Sequence, residues 1–91
     1  MKVFKFRLND AVDETIMPVG ARVLRVDRQG VDLTMWALVD PHAEKEARCF
    51  KVVGTGWDVP EGAEYIDTHF DRGAQPGFPN GFVWHIFEVK K

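Results

Sequence analysis

Two runs constrain this chain more than any other feature: Leu33-Thr34-Met35-Trp36-Ala37-Leu38-Val39 and Phe82-Val83-Trp84-His85-Ile86-Phe87-Glu88-Val89. Both are nearly continuous in apolar residues. A strand of that kind is covered on both faces, so it belongs at the centre of a sandwich or at a subunit contact. Around them lie weaker strand signals. Lys2 to Leu8 alternates, with Phe4, Phe6 and Leu8 on one face and Lys5 and Arg7 on the other. Glu14 to Met17 is short and apolar and is closed by Pro18 and Gly20, while Ala21 to Arg28 leads into an Arg28-Gln29-Gly30 turn. Arg48 to Val53 and Tyr65 to Phe70 complete the strand candidates.

The punctuation agrees with this reading. Asp40-Pro41-His42, Gly54-Thr55-Gly56 and Asp58 to Gly62 carry the residues that end strands and form turns. Arg72 to Gly81, with its glycines and prolines, reads as a surface loop. Ala43 to Ala47 is the one candidate helical turn, and it is too short to be stable alone. The expected class is all-β: a small antiparallel β-sandwich or barrel of about six to seven short strands. With 91 residues there is room for one core, so residues 1–91 are expected to form a single all-β domain.

Charge and cysteine usage narrow the setting. A net charge of −2 gives no overall pull toward nucleic acid or anionic lipid. The amino-terminal Met1 to Arg7 has no apolar stretch of signal-peptide length, and no window approaches the roughly 18 apolar residues of a membrane span. A single cysteine, Cys49, makes no internal disulfide, as expected in a reducing cytoplasm.

Catalytic constellations are sparse. Serine is absent, which removes the serine nucleophiles. Cys49 sits inside a strand pattern, where a structural thiol is expected rather than an activated one. His42, His69 and His85 show no metal-ligand spacing, and the carboxylates fall mostly in turns. No catalytic residue, metal ligand or cofactor site is therefore assigned, and the chain is expected to bind rather than to catalyse. Gly54-Thr55-Gly56 is a weak anion-loop candidate: it joins a strand bearing Arg48 to Trp57, which offers a stacking face, but it lacks the following lysine and helix of a phosphate loop. His85, amid apolar neighbours, is either a ligand contact or a satisfied sheet histidine. Trp36, Trp57 and Trp84 cannot easily all sit at the centre of so small a core, so some should lie at a ligand pocket or a subunit contact.

One resemblance spans the chain. Trp36-Ala37-Leu38-Val39-Asp40-Pro41, Gly54-Thr55-Gly56 and His85-Ile86-Phe87-Glu88 are its most specific segments. On these the chain resembles a large family of short proteins of unknown function encoded by bacteriophages and prophages. It departs from that pattern in a longer 72–80 loop and in Trp57, which stands where a histidine is more usual. A phage setting implies life in a bacterial host cytoplasm and suggests a counter-defence role. In that role a homo-oligomeric sponge would sequester a small anionic, cyclic nucleotide immune signal. The ligand-binding residues of such a sponge would be Trp36, Arg48, Gly54, Thr55, Gly56, Trp57 and His85. The alternative is a protein-binding or virion-accessory module that docks a host or phage protein through its aromatic strands. A hydrolase acting on a nucleotide signal is a third and weaker reading, because it needs a metal or a base that the sequence does not supply.

Overall fold

The computed structural model of the protein describes residues 1–8, 13–30, 32–71 and 81–90. Seven strands run in chain order: β1 (Lys2–Leu8), β2 (Asp13–Pro18), β3 (Arg22–Gln29), β4 (Asp32–Val39), β5 (Lys45–Gly54), β6 (Glu64–Asp71) and β7 (Phe82–Val89). They form two antiparallel sheets, a three-stranded β1-β4-β3 and a four-stranded β2-β5-β7-β6, arranged like a sandwich. The all-β expectation holds. The two apolar runs are β4 and β7, both inner strands as continuous hydrophobicity predicts, and β5 is inner as well.

The core lies between the sheets. Met35, Ala37 and Val39 of β4 face Met17 of β2, Phe50 of β5 and Ile86 of β7, with Leu8, Ala21 and Val26 completing a buried cluster. Phe6, Val23, Leu33, Val52 and Ile66 pack against its edge. None of the three tryptophans is in it. Phe50, Met17, Met35 and Ile86 are the largest side chains removed from solvent, so the centre is mostly aliphatic and thioether.

The Ala43 to Ala47 helical turn is not formed. Ala43 N–H donates to the Asp40 carbonyl at 3.1 Å to close a turn, and β5 has already begun at Lys45. Lys45, Glu46 and Ala47 pair with Pro18, Met17 and Ile16 of β2, so a ladder to a distant segment overrides a weak local preference. The expected loop at Arg72 to Gly81 falls outside the described residues except for Gly81.

On one lateral side the sheets are joined by side chains rather than by a ladder. A bulge between Tyr65 and Asp67 turns Asp67, His69 and Asp71 of β6 toward the edge of β3. Asp67 Oδ2 accepts the Val26 N–H at 2.7 Å, His69 Nδ1 lies 3.0 Å from Asp27 Oδ1, and Arg28 Nη2 donates to Asp71 Oδ2 at 2.6 Å. The carboxylate of Asp67 thus satisfies an edge amide that no neighbouring strand reaches. Replacing it in Asp67→Ala leaves that part-buried N–H unmet and should lower unfolding stability by about 1–3 kcal/mol. The loss should appear in urea titration as an earlier midpoint with an unchanged slope. A shift no larger than that of an exposed-charge control would show that the seam does not hold the sheets.

Candidate functional site

Strand register decides where each expected ligand-binding residue points, because directly opposed residues share a face. Trp36 projects from the outer face of the three-stranded sheet, flanked by Lys5 on β1 and Arg25 on β3. Its indole is half-buried beside these two chains. Arg48 points the other way, into the sandwich. Its Nε and Nη2 donate to Glu88 at 2.8 and 2.7 Å, and its Nη1 donates to the Ala21 carbonyl at 2.6 Å. The guanidinium also lies 5.5 Å from the centre of the Phe50 ring. An anion placed here would have to displace Glu88.

The Gly54-Thr55-Gly56-Trp57 segment forms a tight turn. Trp57 N–H donates to the Gly54 carbonyl at 3.0 Å, and Gly56 takes a φ of 89°, a conformation that favours glycine. A Cβ on Gly54 would come within 2.8 Å of Trp57 Cε2, so the indole lies directly over this glycine. Trp57 meets Trp84 edge to face at 5.8 Å, and Trp84 stacks on Phe82 at 5.2 Å. The glycines therefore serve a turn and a close aromatic contact. Trp57 remains 61% exposed.

His85 lies on the outer face of the four-stranded sheet. Its Nε2 is 2.9 Å from Thr55 Oγ1, its Nδ1 is 3.1 Å from Thr68 Oγ1, and Thr68 Oγ1 is 2.8 Å from the Tyr65 hydroxyl. Both ring nitrogens are thus engaged within the chain. Of the seven expected residues, the fold brings Thr55 to His85 and Trp57 to Gly54. Trp36 stands on the opposite outer face, and Arg48 is between the sheets.

Around His85 lies a surface that the sequence did not single out. Register puts Ile16, Cys49, Val53, Val83, Phe87, Val89, Tyr65 and Phe70 on this same outer face. Ile16, Tyr65 and Phe70 are 58%, 56% and 55% exposed. Tyr65 packs edge to face on Phe87 at 5.8 Å. The chain Thr55–His85–Thr68–Tyr65 ties the turn after β5, β7 and β6 together, so the ring of Tyr65 is held in place. A signal for this surface was present, because alternation in β7 leaves Val83, His85, Phe87 and Val89 on one side. What hid it was the bulge in β6, which brings Tyr65 and Phe70 onto one face where strict alternation would set them on opposite faces.

Charge between the sheets and along the β3–β6 side is tightly paired. The hydrogen bonds from Arg48 hold the Glu88 carboxyl below the ordinary glutamate value of 4.5, and in return hold Arg48 firmly protonated. Asp27 is likewise held low, first by the Arg28 N–H and, against some burial, by His69 and Arg25. Among the described residues no group of three or more His, Cys, Asp or Glu could hold a metal ion, and no helix is long and apolar enough to cross a membrane.

Because Glu88 is depressed in the folded state, its contribution is present above its unfolded value and is lost as pH falls through the lower folded value. Arg48→Met should therefore cost about 2 kcal/mol at neutral pH, less than a fully buried pair because both side chains keep some solvent contact. That cost should shrink progressively below the ordinary glutamate value of 4.5. Guanidinium unfolding of both proteins across pH 7 to about pH 3 checks this; a pH-independent difference would show that the pair does not govern it.

No curated protein and no solved structure matches this chain. A family model described as a domain of unknown function, DUF7352, matches residues 1–91, and the chain belongs to that family.

Proposed function

We propose that this protein is a non-catalytic binding module that docks a partner protein through the outer face of the β2-β5-β7-β6 sheet. One observation carries the reading: Ile16, Tyr65 and Phe70 stand exposed on this face among apolar strand residues, while the outer face of the other sheet carries the long charged side chains Lys5, Arg7 and Arg25 beside Trp36. On the three-stranded sheet, Lys5 donates to Gln29 at 2.9 Å, Arg7 lies 3.6 Å from Asp32, and Arg25 lies 3.1 Å from Asp27. That is how a solvated sheet face is built. On the four-stranded sheet, Ile16, Tyr65 and Phe70 stand out beside Phe87 and Val89, with Lys51 opposite Phe87 and Glu14 opposite Cys49 as the charges on the central rows. Four strands about 4.8 Å apart span roughly 15–20 Å, and a contiguous apolar patch of a few hundred Å² marks an interaction site on a soluble protein.

The nucleotide-sponge reading is less well supported. The donors it needs from Arg48 are spent on Glu88 and Ala21, and its aromatic and glycine residues do not converge within one chain. A bacterial host protein is the partner that the resemblance to phage-borne proteins would supply.

A photo-crosslinking amino acid at position 65 or 70, with Arg25 of the opposite face as control, tests the proposal. Crosslinking from 65 and 70 should give one defined polypeptide adduct that is absent from position 25. The adduct mass tells a second copy from a different protein. Phe70→Asp should abolish the adduct formed from position 65 while leaving the unfolding midpoint nearly unchanged. Adducts independent of position would overturn the reading. So would a nucleotide that raises thermal stability by about 2.7 kcal/mol at a hundred times its Kd.

A further inference from the structure

We infer that the edge of β1 that no described strand pairs with is a second binding surface, which accepts an extended peptide of alternating apolar and acidic residues as an added strand. It lies on the other sheet and does not depend on the docking face.

The sandwich has edge strands β1, β3, β2 and β6, and an unpaired strand edge invites another strand unless something blocks it. The edge of β3 is bulged between Val23 and Arg25, and its Val26 N–H is taken by Asp67. The edge of β6 is bulged between Tyr65 and Asp67. The β2 strand ends in Pro18, which has no N–H to offer. Among the described residues, β1 alone has neither device: it pairs with β4 in unbroken register from Lys2 opposite Val39 to Leu8 opposite Leu33, without proline or glycine.

Its side chains specify the chemistry of the added strand. Phe4 and Phe6 share the inner face with Ala37 and Met35, yet Phe4 is still 38% exposed. Alternate residues of an incoming strand would cover these rings. On the outer face stand Lys5 and Arg7, while Lys2 at the strand end lies on the side of Phe4 and Phe6, and the Lys2–Leu8 segment has no acidic residue. Lys5 bonds the neutral amide of Gln29, and Arg7 makes only a long contact to Asp32 at 3.6 Å. Carboxylates at the other alternate positions of the peptide would meet these cations. A second copy of β1 is a poor match, since pairing it antiparallel brings lysine and arginine against each other.

The test uses an acetylated peptide that alternates valine and glutamate over the length of β1, measured by fluorescence anisotropy and by amide hydrogen exchange. Binding should slow exchange at Val3 to Arg7 and not along β6. The glutamate peptide should bind about tenfold more tightly than its valine–lysine counterpart, as expected from a few solvent-exposed charge pairs. A proline at the centre of the peptide should abolish binding by removing a strand donor. Lys5→Glu combined with Arg7→Glu should reverse the preference between the two peptides, while Phe70→Asp should leave it intact. Equal binding of both peptides, binding that survives the central proline, or no binding at millimolar peptide would overturn the inference. Loss of binding in Phe70→Asp would place the peptide on the docking face and overturn it equally. A protein whose β1 amides are already protected by self-association would do the same.

Discussion

The carboxylate of Asp67 on the Val26 amide is the contact on which much of this architecture turns. Apart from the Arg48 bond to the Ala21 carbonyl, two open sheets of three and four strands would otherwise meet through their apolar faces. At the β3–β6 side, Asp67, His69 and Asp71 reach across to Val26, Asp27 and Arg28 and supply polar partners for an edge that has no neighbouring strand. The bulge that aims these three side chains also lets Tyr65 share the outer face with Phe70. The pairing of Tyr65 with Phe70 on the proposed docking surface is therefore a geometric consequence of the seam.

Arg48 shows the same economy at the other end of the core. A strand residue that looked like an anion contact instead binds Glu88 through two nitrogens and the Ala21 carbonyl through a third. It links β5, β7 and the start of β3 over the ring of Phe50. A guanidinium placed between sheets must be paired, because desolvating it alone is costly. Its partner lies 40 residues away, so local sequence could not reveal that the charge was already taken. The Gly54-Thr55-Gly56 turn has a similar history: its glycines provide a positive φ and room for the Trp57 ring.

Much of the fold was legible in the chain. The apolar runs at Leu33 to Val39 and Phe82 to Val89, the alternation in Lys2 to Leu8 and the breakers at Asp40-Pro41 and Gly54-Thr55-Gly56 all fall where β4, β7, β1 and the turns lie. The start of β5 was not legible, since Lys45 to Ala47 become strand only by pairing with β2. The seam was hidden too. Asp67, His69 and Asp71 alternate along β6 as a solvent-facing stripe would, and only the bulge shows that they face β3. Of the candidate binding residues, the sequence recognised His85 but not the surface around it, whose members come from four strands.

The sequence alone determined what local spacing can determine: an all-β chain, its turns, and the two strands that had to be central because both their sides are apolar. It also determined the charge of β1, where three cations stand without an acidic residue. The tertiary structure decided which face each side chain occupies, which cations are already paired, and which edges remain open. Those properties depend on register and on contacts between residues dozens of positions apart. A bulge of one residue is enough to reverse a face, and no local pattern reports where it falls.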